Sequence, residues 1–333
     1  MKPVYYSEYL QLDKILNAQE EESRKAGVRA DDEMLFIIIH QAYELWFKQI
    51  LHELTIAREI FAQSQIKDNS ADINNALHRL NRITEIQQVL LQQIDILETM
   101  TPLDFLDFRD FLRPASGFQS MQFKIIEAQL GLPFAKRFGQ EYYLSQLKPD
   151  DVAVIKKAEA EVPLLTMINS WLERMPFFKQ ANIDADQYWQ NYRDLYQSTL
   201  QEAERNNTSG FDMLFMDKAN YDAERQLSVD ANRSALFIML YRDYPLLHAP
   251  YQILNKLLDI DELLAQWRYR HMNMVQRMIG RRVGTGGSTG AHYLKNAADT
   301  HYIFKELADL TTFLVQRSRL GDMNPALRTV LGA

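Results

Sequence analysis

The sequence predicts an all-α fold, built as a single large helical domain spanning residues 1–333. Apolar residues recur at spacings of three and four through most of the chain. No segment keeps the strict alternation, bounded by turn residues, that marks a half-buried strand. The ten prolines fall mostly at the edges of the periodic segments, where helix breakers belong. With no linker, internal repeat or low-complexity tract to divide the chain, one helical bundle is the simplest architecture.

Taken in order, residues 1–30 are polar and Tyr-rich with little core of their own. They form either a frayed terminus or an arm that packs on a neighbouring subunit. Residues 32–63 read as one long helix, ended by the polar run from Ser64 to Ala71. A second spans 71–98, with Leu77, Leu80, Ile83, Ile86, Leu90 and Ile94 as its apolar stripe. Thr101-Pro102 supplies an N-cap followed by proline at the first helical position, so a short helix runs to about Leu112 and stops before Pro114. Further helices fit 119–130, 150–160, 163–173, 183–204, 230–242 and 251–280.

Composition narrows the chemistry. A chain of 333 residues with 47% hydrophobic and 24% charged residues can bury a large core. A formal net charge of −7 offers no general attraction for nucleic acid or for an anionic membrane surface. The longest apolar run, Met34 to Ile39, falls far short of the roughly 20 residues a membrane span needs. The start of the chain lacks a secretory n-region and h-region, so a soluble cytoplasmic protein is expected. Cysteine is absent. That excludes disulfides, Cys-ligated zinc, iron–sulfur clusters and thiolate-bound haem. None of the seven histidines forms a His-x-x-x-His pair, which excludes a zinc protease of that type.

Four places could carry chemistry. His40 sits in Phe36-Ile-Ile-Ile-His-Gln-Ala-Tyr43, among aromatic rings one turn away on either side. It is either a satisfied core histidine or a polar group aimed at an aromatic ligand. His271 shares a stripe with Leu264, Trp267, Met274, Val275 and Met278. An imidazole in such a Met-rich surround is an ordinary core residue or the axial ligand of a b-type haem. The run Gly284-Thr-Gly-Gly-Ser-Thr-Gly290 matches neither a P-loop nor a dinucleotide fingerprint and follows a helix, so it reads as a surface loop or a lid over a ligand. Arg109 has no acid three or four residues away, and its planar fork suits a ligand carboxylate. Close by, Arg113-Pro-Ala-Ser116-Gly makes a tight turn that presents a hydroxyl.

Read together, four phrases resemble the haem-dependent tryptophan 2,3-dioxygenases: Tyr6-Ser-Glu-Tyr-Leu-Gln-Leu-Asp13, Asp32 through Lys48, Phe105 through Ser120, and Trp267 through Gly290. They occur in the family's order, with the thinnest agreement over 140–210. The resemblance implies one haem b per subunit with His271 as axial ligand of the iron, and Trp267 and Ser116 beside the haem. It implies that His40 accepts the indole N–H of L-tryptophan, that Phe36 walls the indole, and that Arg109 holds the substrate carboxylate with Thr285 near its ammonium. Phe105 lines the same pocket, and Tyr6 is lent by a neighbouring subunit of a homotetramer. The implied reaction inserts both atoms of dioxygen into the pyrrole-ring double bond, giving N-formyl-L-kynurenine. Two positions depart from the family pattern: Asp31 replaces a frequent histidine, and Phe105 replaces a tyrosine found in some bacterial members, removing one polar contact to the carboxylate. A related haem monooxygenase of tyrosine or a modified indole, a haem-binding sensor, and a cofactor-free helical interaction protein are the alternatives.

Overall fold

The computed structural model describes residues 3–63, 71–134, 137, 144–219, 225–280, 282, 295, 297 and 300–332. Among these there are helices and turns and no strand. Three short helices open the chain: α1 (Tyr6–Leu10), α2 (Leu12–Leu16) and α3 (Glu22–Lys25). Helix α4 (Glu33–Phe61) follows, then α5 (Ala71–Leu97), α6 (Pro102–Arg109) and α7 (Met121–Leu130). Next come α8 (Pro149–Ala160), α9 (Leu164–Glu173), α10 (Phe177–Gln180), α11 (Ala185–Thr199) and α12 (Asn207–Phe211), the last continuing into a π turn over Asp212–Met216. Helices α13 (Val229–Leu240), α14 (Pro245–Ile279), α15 (Lys305–Asp309) and α16 (Pro325–Val330) complete it.

The frame is α4, α5 and α14. Helix α5 lies between the other two and packs along both. Its buried residues Ile73, Ala76, Leu80, Ile83, Ile86, Leu90, Ile94 and Leu97 follow the three-and-four spacing of the sequence. Helix α14, with 35 residues, is about 52 Å long. Helix α7 bridges α4 and α8, while α9 packs on α13 and α4. One contiguous apolar core runs from Ala30 to Leu331.

Most boundaries match the sequence expectation within two residues, and three do not. Helix α14 begins at Pro245 rather than near 251 and carries Pro250 inside it. Pro250 is the sixth residue of the helix and removes the one intrahelical bond that its N–H would have given to the Leu246 carbonyl, a loss that the packing of the long helix on α5 outweighs. The expected helix over 183–204 stops at Thr199 and resumes as a single turn over Glu202–Glu204. The third is the chain start, where 1–30 contains helical turns and a firm anchor. Buried Glu33 accepts the backbone N–H groups of Glu22 at 2.8 Å and Ser23 at 3.0 Å. Gln41 donates to the Ala18 carbonyl at 3.0 Å. The segment from 18 to 23 is thus tied to the start of α4, while Val4, Tyr5, Tyr6, Tyr9 and Leu16 remain exposed.

Candidate active site

Helix α4 brings Phe36 and His40 together, with ring centroids 4.1 Å apart. His40 Nδ1 lies 2.7 Å from the carbonyl oxygen of Phe36. A carbonyl can only accept, so Nδ1 carries the proton and, in the neutral ring, Nε2 is the acceptor. Burial pushes the His40 pKa below its usual 6.5, against the opposing pull of the Phe36 carbonyl and Glu44. At neutral pH the ring is uncharged.

Helix α6 supplies the facing wall. A capping box fixes its start: the Thr101 hydroxyl accepts from the Asp104 N–H at 3.3 Å, and the Asp104 carboxylate accepts from the Thr101 N–H at 2.8 Å. From that base Phe105 and Phe108 reach the Phe36 ring, with centroids at 5.7 and 5.5 Å. Arg109, next along, is buried. Its pKa is lowered first by burial and then by the positive charges of Arg113 and Arg282, with Asp110 opposing. The guanidinium stays charged nonetheless. Three arginines against one aspartate make this end of α6 electropositive, a setting that favours a carboxylate ligand.

A run of rings joins His40 to the second histidine. Tyr43 lies 6.5 Å from His40, Trp267 lies 6.0 Å from Tyr43, and His271 lies 5.1 Å from Trp267 with planes tilted by only 24°. Burial pushes the His271 pKa down to about 4, and a charge on His40 would push the same way. His271 Nδ1 is buried and has no hydrogen-bond partner among the described residues. Met272, Met274 and Met278 are buried along the same helix.

The family model of tryptophan 2,3-dioxygenase matches this chain over residues 1–212 and 207–314. The chain belongs to the tryptophan 2,3-dioxygenase family. A tryptophan 2,3-dioxygenase from Alteromonas mediterranea is 41% identical over all of this chain and 98% of its own length. One from Dictyostelium discoideum is 43% identical over 96% of this chain and 86% of its own length. One from Mus musculus is 39% identical over 98% of this chain and 86% of its own length. The chain is accordingly an oxidoreductase, a dioxygenase acting on tryptophan with dioxygen.

A tryptophan 2,3-dioxygenase implies haem, and the residues present fit one. His271 is a neutral imidazole whose buried Nδ1 makes no hydrogen bond to a described residue, so the ring is uncommitted, on a helix that also buries Met274 and Met278. Among the described residues no three His, Asp or Glu side chains cluster as a metal cage. Iron carried in a porphyrin needs only an axial ligand from the protein. No described helix is long and apolar enough to cross a membrane.

Of the residues expected in this dioxygenase site, Phe36, His40, Phe105, Trp267 and His271 are linked ring to ring, and Arg109 extends the same α6 wall. Thr285 and the Gly284–Gly290 loop lie outside the described residues. Tyr6 is not brought to the site within one chain; its side chain is 74% exposed on α1. Ser116 caps a short turn over Gly117–Gln119, its hydroxyl accepting from the Phe118 N–H at 3.4 Å. Sequence reasoning named Tyr43 only as a ring one turn from His40 and passed over Phe108; both complete the aromatic lining. The signal for Phe108 was its place one turn after Phe105 and directly before Arg109. Ser120 caps α7, its hydroxyl accepting from the Phe123 N–H at 3.3 Å.

Proposed function

We propose that this chain converts L-tryptophan and dioxygen to N-formyl-L-kynurenine, the opening step of oxidative tryptophan breakdown, as a single-domain subunit of a cytoplasmic homotetramer with one haem b per subunit. The observation that carries the reading is the His40 tautomer: Nδ1 is committed to the Phe36 carbonyl at 2.7 Å, so the ring offers an acceptor and no donor to a ligand's N–H. An indole has one N–H and an otherwise apolar face. Phe36 and Phe105 stack against that face, and His40 receives the N–H. Arg109 grips the carboxylate, and Thr285 adds a hydroxyl near the zwitterion. Losing one such buried polar partner costs about 1–3 kcal/mol, so the set together selects an L-amino acid with an indole side chain.

His271 would hold the haem, with Trp267 and Ser116 beside it. Bound haem iron supplies the redox chemistry that delivers both atoms of dioxygen to the pyrrole double bond. His40 orients the ring and anchors the indole proton; an imidazole whose basicity burial has lowered is a poor choice as an obligatory base. The exposed tyrosines of α1 support an arm that is completed by another subunit, with Tyr6 reaching that subunit's pocket.

Reduced, haem-loaded protein mixed with L-tryptophan and labelled dioxygen tests the reaction. A product carrying two labelled oxygens is expected. A singly labelled hydroxylated product, or turnover of tyrosine in place of tryptophan, would replace this reading with a monooxygenase. Light scattering on the purified protein tests the tetramer.

A further inference from the structure

The helix that carries His271 also carries a buried ion cluster which the site described above does not use. Glu127, buried on α7, receives Arg137 Nη1 on Oε2 at 2.6 Å and Arg268 Nη2 on Oε1 at 2.7 Å. The His301 ring lies 3.5 Å from the same Oε1. Arg268 is itself buried, sits one turn before His271 on α14, and donates through Nη1 to the His301 carbonyl at 3.2 Å. Its guanidinium lies over the Phe123 ring at 6.0 Å. Phe123 in turn meets Trp267 at 5.1 Å, and Trp267 stacks on His271 at 5.1 Å.

A histidine that ligates a metal is usually oriented by a hydrogen bond from its other ring nitrogen to a carboxylate or carbonyl. His271 has no such bond on Nδ1 among the described residues. Among the described residues two things set its orientation: the stack on Trp267, and the rotation of α14 about its own axis. Glu127 acts on both. It holds α14 one turn from His271 through Arg268, and its own helix presents Phe123 to the Trp267 ring. A buried ion network is a poor way to gain stability, because desolvation cancels most of the attraction, but it fixes geometry well.

We propose that Glu127, acting through Arg268, is a positioning residue for His271. The proposal rests on the reading of His271 as the haem ligand. Its test uses haem-loaded Glu127→Gln, Glu127→Asp and Arg268→Lys enzymes, with the iron–histidine stretching band of the reduced state as readout. Glu53→Gln is the control, since Glu53 is also a buried carboxylate held by two arginines, Arg79 at 3.2 Å and Arg82 at 3.0 Å, but between α4 and α5. Glu127→Gln and Arg268→Lys are expected to shift or broaden the band and to lower kcat by about 10- to 100-fold, the scale of small misplacements, with KM for tryptophan within twofold of the parent. Glu127→Asp should recover part of both, and Glu53→Gln should leave the band in place. An unchanged band in Arg268→Lys, or an equal shift in Glu53→Gln, overturns the proposal. Should Glu127→Gln fail to fold, Arg268→Lys carries the test alone. A His271→Ala enzyme that kept the parent's haem absorption and iron–histidine band would instead remove the ligand assignment beneath it.

Discussion

At the scale of single residues, the site depends on which nitrogen of His40 holds the proton. Because Phe36 fixes that choice, on the proposed function His40→Ala removes an acceptor without removing any group needed for bond breaking. KM for L-tryptophan should rise by about 5- to 100-fold, from the 1–3 kcal/mol of one buried hydrogen bond, while measurable kcat persists in steady-state assays. Complete loss of turnover with tryptophan still bound would assign His40 a proton-transfer role instead. Arg109→Leu should be harsher, since it deletes the charge proposed to face the substrate carboxylate. A loss of about 2–5 kcal/mol in kcat/KM is expected, and Arg109→Lys should recover only part of it because lysine lacks the fork. His40, His271 and Arg109 stood out in the sequence because each breaks the pattern around it: an imidazole in an apolar stripe, an arginine with no local acid. Phe36, one apolar residue among several, came only from the family resemblance. Glu127 and Arg268 were not. Charged residues at helical spacing read as solvated faces, and here their burial is decided by a partner 141 positions away.

At the scale of elements, the long helices α4 and α5 could be placed closely from periodicity and the polar run between them. The start of α14 could not, because Pro250 looked like a boundary and is an interior residue. The short helices α10, α12, α15 and α16 escaped because four to six residues cannot display a period. The junction after α7 is the element most exposed to change. Gly131 ends that helix at φ +125°, and a Cβ there would stand 2.8 Å from Leu165 Cβ on α9. Gly131→Ala combines backbone strain with a clash between packed helices, so a loss of about 2–4 kcal/mol is expected in denaturant unfolding. A neutral effect would mean that α7 and α9 separate more easily than their packing implies. Since α7 also carries Glu127, the same variant should disturb His271 from a distance.

At the scale of the whole molecule, the proposed haem ligand His271 also bears on the stability of the fold. Its folded-state pKa is pushed down to about 4 from the usual 6.5 by burial. The unfolded chain therefore binds the extra proton more readily, and this contribution is present above pH 6.5 and drains as pH falls towards 4. For the apoprotein the loss is on the order of 3 kcal/mol at most. His271→Leu apoprotein should show a flatter stability profile between pH 7 and pH 4, read from urea midpoints; an identical slope would mean that other groups dominate. The exposed tyrosines of α1 belong to the same scale, because nothing within one subunit's periodicity says what an arm will touch.

The stack of Trp267 on His271 also makes the chain its own optical gauge. The sequence has four tryptophans. Trp267 lies ring to ring with the imidazole that would hold the cofactor, while Trp171 and Trp189 are buried among other aromatic neighbours. Indole emission overlaps haem absorption, so transfer of excitation grows steeply as the two approach. Titrating haem into apoprotein should darken Trp267 first, and Trp267→Phe should remove the most strongly quenched share of the signal. Cofactor loading can then be followed by ultraviolet fluorescence with no added label.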